Sequence, residues 1–466
     1  MTQQVKPTMT YAILVAAALA ILTTSVNAQT PQPPAQANHD QWFAASAKVI
    51  DELDKGQFDA ILQNSIPAVR DALPAAKLGS IWNAIVEQSG PFQAIDGTDY
   101  ADRGAYHTVI SDCRFQKTSI DITLSFDSDR RLAGIFFGPH AAPAPAVSLP
   151  DGLCEQSITV GANGQWPLPG TLTLPAGPGP FACVVLVHGS GPEDEDETIG
   201  SNKLFRDLAW GLAQHGVAVL RYVKRTKQFP ERCAAMTDMT TKDEVIDDAV
   251  LAANLAAQSD RIDPKRVFIL GHSLGAMLIP RIAARAKFAA GFIVMAGATR
   301  PIEDLIVEQY KQRLAGTDPA TAKPLLDQIE KQVATVKSAG LTNKTPVSEL
   351  PFGAPASYWL DVRNMHAAVD ARAIAQPLLI LQGGEDQQVP SKEIDGWRAA
   401  LAGKHNVEYR LYPDLSHLFI AGQPTVNDYL SHPGRVSETA IEDIAKWVKS
   451  VSAASRRATP IVPTRR

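Results

Sequence analysis

Residues 267–270 form a short apolar run that ends in Gly271-His272-Ser273-Leu274-Gly275 and then gives way to a helical pattern. A strand that turns into a helix within five residues is crowded, and glycines placed two residues either side of a serine relieve that crowding. Such a G-x-S-x-G turn holds its central residue in strained backbone and exposes the Ser273 oxygen, the position of a nucleophile. The rival reading, a glycine-rich packing turn, accounts for the glycines but not for the strand before them and the helix after.

The surrounding pattern supplies a sheet for that turn. A hairpin is expected over 158–174, strands at 181–187, 217–221, 267–270, 292–295, 378–381 and 407–411, and helices near 205–212, 242–257 and 439–451. Strands alternating with helices predict an α/β fold with a mostly parallel, doubly wound sheet covered on both faces. Between 299 and 376 the alternation lapses into helices at 302–314 and 325–336 and a Pro/Gly-rich patch. We read this segment, about 300–376, as a helical cap over the carboxyl edge of the sheet, where active sites form.

The chain has 466 residues, which at roughly 150 per domain leaves room for more than this unit. Lys6, an apolar run over 11–22 and Val26-Asn27-Ala28 read as a signal peptide cleaved after residue 28, because the run is shorter than the roughly 20 residues that span a bilayer. The expected location is therefore periplasmic or extracellular, with no stable membrane insertion after cleavage. A Pro/Gln-rich spacer occupies 29–39. From 40 to 138 a small α+β domain is expected. Its three helices are marked by Phe43, Ala47, Ile50 and Leu53, by Phe58, Leu62 and Ile66, and by Leu78, Ile81, Trp82 and Ile85. Strands at 120–126 and 132–137 follow. Residues 139–152 read as a Pro-rich linker, 153–452 as the catalytic domain and 453–466 as a basic tail.

Lys and Arg number 44 against 49 Asp and Glu, a formal charge of −5 with no clustered basic excess, so a nucleic-acid partner is excluded. Of the four cysteines, Cys183 lies in an apolar run and reads as a free core thiol. Cys113 and Cys154 flank the joint between domains, and their pairing, like the state of Cys233, stays open. The cysteine spacings match no zinc or redox motif, so neither a metal nor another cofactor is expected.

A serine oxygen is a weak nucleophile and needs a base and an orienting acid, in chain order serine, acid, histidine. Of the ten histidines, His405, His417 and His432 lie downstream of a plausible acid. His405 precedes the strand at 407–411 and falls on the wrong edge, whereas His417 follows it and is the expected base; His432 reads as a surface residue. Strand 378–381 runs into Gln382-Gly383-Gly384-Glu385-Asp386, which makes Asp386 the preferred acid and Glu385 its rival. Asp414, three residues before His417, is a turn residue after Pro413. Backbone donors for an oxyanion are expected from Leu274 and, in His188-Gly189-Ser190-Gly191-Pro192 after the first core strand, from Ser190, with Gly189 or Gly191 as alternatives.

With HGSGP, GHSLG and GGEDQQVP in these positions, the chain resembles the α/β-hydrolase superfamily. Its run from His188 to Arg225 resembles a bacterial carboxylesterase-like group within it. The resemblance covers about 153–451; residues 40–137 more weakly resemble a small domain of the nuclear transport factor 2 type (NTF2-like, DUF3887 type). The chain departs from the group at Glu195, where an Arg is usual, and at Val223, where an Asp is usual, which bears on the pocket mouth or a supporting salt bridge. The acidic run 193–197 reads as a solvated face rather than a cation site. Tyr358 and Trp359 either line the substrate pocket or anchor the cap. The function implied is serine hydrolysis of small-molecule carboxylic esters through an acyl-enzyme; peptidase, amidase, thioesterase or acyltransferase activity on the same fold are the alternatives. The oligomeric state is not legible.

Overall fold

The computed structural model describes residues 39–103, 106–140, 148–315 and 319–457. The signal peptide, nearly all of the spacer, the middle of the linker and the end of the basic tail therefore lie outside the described residues. The chain divides into two compact units, Met1–Ala142 and Pro143–Arg466.

In the N-terminal unit, helices Asp40–Asp54, Phe58–Gln63, Pro67–Ala72 and Ala75–Ser89 precede an antiparallel meander of β1 (Phe92–Arg103), β2 (Tyr106–Phe115), β3 (Ser119–Phe126) and β4 (Leu132–Pro139), in that spatial order. Trp42, Ile50, Leu53, Leu78 and Trp82 from the helices pack with Val109, Cys113, Ile122 and Leu124 from alternate positions of β2 and β3. The sequence pattern predicts three helices, and the described residues form four. The extra one begins at Pro67, whose fixed φ and missing N–H suit a first helical turn. Strands β1 and β2 were also not anticipated. The β1 stretch from Asp96 to Asp102 carries little apolar alternation because it is an edge strand, held by main-chain pairing to β2.

The second unit is built on an eight-stranded sheet. Its strands are β5 (Cys154–Val160), β6 (Leu168–Leu174), β7 (Phe181–Val187), β8 (Val217–Tyr222), β9 (Ile262–His272), β10 (Gly291–Met295), β11 (Leu378–Gly383) and β12 (Val407–Tyr412). They lie in the order β12-β11-β10-β9-β7-β8-β6-β5. β5, β6 and β8 pair antiparallel, and the remaining neighbours are parallel. After β7 the chain first moves outward to β8 and then returns to place β9 on the other side of β7. The loops leaving the carboxyl ends of β7 and β9 thus start side by side at the point where strand order reverses, the usual crevice of an open α/β sheet.

Both faces are covered, as an unbroken apolar run such as Val184-Val185-Leu186-Val187 in β7 requires: Val185 and Val187 join one buried cluster, Val184 and Leu186 the other. Between β10 and β11 the chain makes helices Ile302–Arg313, Pro319–Lys337 and Ala356–Val362, which share a cluster of their own around Ile306, Val333, Val336, Trp359 and Val362. All four cysteines are free thiols, with Cys154 exposed and Cys113, Cys183 and Cys233 buried. Among the described residues no helix is long and apolar enough to cross a membrane.

Candidate active site

Ser273 sits at the end of β9 with φ 52° and ψ −114°, a conformation that side-chain-bearing residues rarely adopt. The flanking glycines make it possible. A Cβ on Gly271 would press into the Gly275 carbonyl, and one on Gly275 into the Val187 carbonyl and to 2.6 Å from that of His188. The Ser273 amide donates to Met295 O at 3.0 Å, tying the turn to β10. Half-buried Ser273 is thereby presented at the carboxyl edge.

Asp386 and His417 leave the same edge after β11 and β12. Both are buried, 4% and 3% exposed, whereas the rivals Glu385 and Asp414 are exposed. Asp386 Oδ1 accepts from the amides of Gln388 at 2.9 Å and Val389 at 2.8 Å, and Oδ2 accepts from Gln382 Nε2 at 3.2 Å and His417 Nδ1 at 2.8 Å. With Nδ1–H committed to Asp386, His417 Nε2 is left as the proton acceptor. His272, the residue before Ser273, spans the gap: its Nε2 donates to His417 O at 3.1 Å, and the two rings lie 4.7 Å apart. Among the described residues no hydrogen bond joins Ser273 to His417; such contacts often tighten only once substrate binds.

The loop after β7 passes against Ser273, since a Cβ on Gly189 would come 3.2 Å from Ser273 Cβ. The Gly189 amide donates to Glu197 Oε1 at 2.7 Å and so is already engaged, while Ser190 is exposed. The Gly189 carbonyl accepts from Lys224 Nζ at 2.8 Å. Leu274 opens the helix after the turn.

The acidic run is not a solvated face. Glu197 is 2% exposed, and residues 193–196 are all partly buried. Asp194 Oδ1 caps the amides of Asp196 and Thr198, Asp196 pairs with Lys203 and Arg221, and Glu195 accepts from Thr171 Oγ1. Val223 donates its amide to Pro169 O at 2.8 Å. Arg221, Lys224 and Arg225, at and just after the end of β8, are all buried and need countercharge; Asp196 supplies it to Arg221, whereas Lys224 and Arg225 take it from Glu244 and Asp248. That stretch signals that Lys224 needs a buried acid, found in Glu244; Glu197 and His272, paired across 75 residues, carry no such local signal.

Burial pushes Glu197 up, but His272, His188 and the Gly189 amide outweigh this and hold it below the ordinary carboxylate range. Burial likewise pushes His272 down, and Glu197 together with the His417 carbonyl holds it above the ordinary imidazole range. With acceptors facing both ring nitrogens, the His272 cation is favoured. Burial takes His188 down to about 4, with Glu197 only partly opposing it. Burial and the Glu197 charge push Glu193 up to about 7 against the pull of Lys224.

Tyr358 and Trp359 are buried in the cap's own cluster, with the Tyr358 hydroxyl near Glu244. Among the described residues, groups near enough to hold a cation are Asp112, Asp121 and His140 in the N-terminal unit and His215, Glu438 and Glu442 in the second; neither contains a residue of this site.

Residues 184–426 match the model of the family described as "Alpha/beta hydrolase family", and residues 46–135 match "Protein of unknown function (DUF3887)". The chain is 36% identical over 406 residues to Esterase EstD of Thermotoga maritima, covering 86% of this chain and 93% of that one. Among solved structures, Est1E from Butyrivibrio proteoclasticus is 14% identical, covering 64% of this chain and 99% of its own with a TM-score of 0.41. A Pyrococcus furiosus esterase is 15% identical, covering 66% and 97% with a TM-score of 0.42. Identity to EstD at this level across nearly the whole length, together with the family match over the sheet and its loops, establishes that the chain belongs to the alpha/beta hydrolase family, with a DUF3887 domain at its N-terminal end.

Proposed function

We propose that this chain is an exported serine esterase acting on small-molecule carboxylic esters. The observation that carries the reading is the buried Asp386–His417 hydrogen bond on the sheet edge that also presents Ser273. Ser273 Oγ attacks the ester carbonyl while its proton passes to His417 Nε2, and the developing oxyanion is held by the Ser190 and Leu274 amides. Collapse expels the alcohol, which takes the proton from His417 and leaves an acyl-Ser273. Water, deprotonated by the same histidine, then releases the acid and restores the serine. Asp386 keeps the imidazole in the required tautomer and stabilises its cation. The 36% identity to an esterase over most of the chain supports ester rather than amide substrates, and Lys6 with the apolar run over 11–22 supports export.

The test is labelling by a fluorophosphonate and turnover of short-chain nitrophenyl esters by the mature protein and by Ser273→Ala. Loss of labelling and a fall in kcat of roughly 10⁶-fold are expected in the variant. Retained turnover removes Ser273 as nucleophile, and faster cleavage of aminoacyl nitroanilides than of esters by the wild type overturns the substrate class.

A further inference from the structure

Two buried ion pairs meet at the loop after β7 and accept no proton in the proposed reaction. Lys224 Nζ pairs with Glu244 at 2.6 Å, their side chains 2% and 8% exposed, and His272 pairs with Glu197 at 3.1 Å, both 2% exposed. Burying such pairs is expensive, and each leaves a carboxylate oxygen, Glu197 Oε2 and Glu244 Oε2, buried with no hydrogen-bond partner among the described residues. Apolar side chains would fill the same space at lower cost, so a role in stability alone does not account for them.

Their common point of action is one glycine. Glu197 takes the Gly189 N–H at 2.7 Å and Lys224 takes the Gly189 C=O at 2.8 Å. The Gly189 carbonyl belongs to the same planar unit as the Ser190 amide, and in a trans peptide the C=O and N–H point in opposite directions. Fixing the carbonyl toward Lys224 therefore fixes the Ser190 N–H away from it. The bond is also charge-assisted, so it polarises that peptide and strengthens Ser190 as a donor. Glycine at 189 has no side chain to resist a peptide flip, and a flip would turn the donor away; the two ion pairs supply the resistance.

Glu244 sits in a π turn, Lys242–Ile246, which precedes the helix Asp247–Gln258. Its carboxylate also lies near the hydroxyl of Tyr358 in the cap. The brace behind Lys224 thus reaches the cap through a single carboxylate.

We propose that Lys224, braced by Glu244, is the positioning residue that aims the Ser190 amide at the oxyanion, with Glu197 holding the preceding amide so that the loop keeps its orientation. This rests on the reading of Ser273 as nucleophile and Ser190 as donor. The role appears in the transition state and not in ground-state binding, so it separates from general packing.

The experiment compares the full mature chain with Lys224→Met/Glu244→Gln, which removes both charges together, and with Glu244→Gln alone, which is isosteric and keeps an acceptor for Tyr358. Active sites are titrated with a fluorophosphonate, and kcat and KM per titrated serine are measured on p-nitrophenyl acetate. Binding of a trifluoromethyl ketone, which forms an oxyanion on the serine, is measured alongside. The double variant is expected to lose about 10²-fold in kcat with KM within about threefold, and to bind the ketone weaker by the same factor. Glu244→Gln is expected to lose roughly three- to tenfold in kcat with KM unchanged; if the double variant does not fold, this variant decides. Wild-type kcat per titrated serine in the folded variants, or a rise in KM alone, overturns the proposal. Wild-type protein that the fluorophosphonate does not label at Ser273 instead overturns the reading beneath it.

Discussion

His417 Nδ1 lies 2.8 Å from Asp386 Oδ2, and every other hydrogen-bonding direction of that carboxylate is filled by Gln382, Gln388 and Val389. The carboxylate has no freedom to rotate away, so the imidazole is held in one tautomer. Asp386→Asn keeps the shape but offers an amide N–H or a poorer acceptor to His417. We predict a fall in kcat of about 10⁴-fold with little change in KM, read from steady-state ester hydrolysis. A fall of less than tenfold removes Asp386 from the triad.

The turn that presents Ser273 depends on Gly275 for a different reason. Here the backbone of the first core strand passes so close that any side chain meets the carbonyls of Val187 and His188. Backbone atoms cannot step aside as a flexible side chain does. Gly275→Ala is predicted to be destabilised by about 3 kcal/mol or more and to lose the labelling of Ser273. Thermal unfolding and fluorophosphonate labelling check this, and a variant with wild-type values for both shows that the turn has slack.

Glu193 makes the pH dependence of stability testable. Burial, followed by the charge on Glu197, raises its carboxyl to about 7 in the folded chain, above the ordinary carboxylate value. The folded state then binds more protons than the unfolded one between those two values, so this contribution is complete below the unfolded pKa and is lost as pH rises through about 7. Glu193→Gln mimics the protonated form. It is predicted to raise the melting temperature at about pH 8 and to leave it nearly unchanged at about pH 4.5. Equal shifts at both values exclude titration of Glu193 as the cause.

The meeting of Ser273, Asp386 and His417 on one edge was legible because each follows a strand whose apolar run is unmistakable, and parallel strands put their following loops on the same side. The acidic run was misread for the opposite reason. Consecutive carboxylates look solvated when taken alone, and what pairs with the buried Glu197 is a histidine 75 residues later. Charge pairing over such separations leaves no local period to detect. Strand β1 was missed on similar grounds: it is held by main-chain pairing with β2, whereas its side chains follow no burial alternation that composition reveals. Tyr358 and Trp359 stood out as aromatics of the cap, but the choice between lining a pocket and packing a core depends on helix–helix contacts that local sequence does not encode.

The cap's attachment gives the last prediction. Asp361, at the end of the helix Ala356–Val362, accepts from the Thr241 amide at 3.1 Å and hydroxyl at 2.5 Å through Oδ2. Arg281 reaches Oδ1 at 2.9 Å and the Asp361 carbonyl at 2.8 Å. Thr241 precedes the π turn carrying Glu244, and Arg281 lies in the helix Ile279–Arg285 beyond Ser273. One carboxylate therefore joins the cap to two elements of the catalytic core. Asp361→Ala takes the side-chain acceptor from buried Thr241 and from one Arg281 nitrogen while leaving the Arg281 bond to the main-chain carbonyl, at a cost of about 2 kcal/mol. A loosened cap changes how a large substrate is held more than how a small one reacts. We predict a rise of several-fold in KM for long-chain or aromatic esters, with kcat/KM on p-nitrophenyl acetate within about twofold of wild type. Equal losses on both substrates place the effect in the catalytic centre and not in the cap.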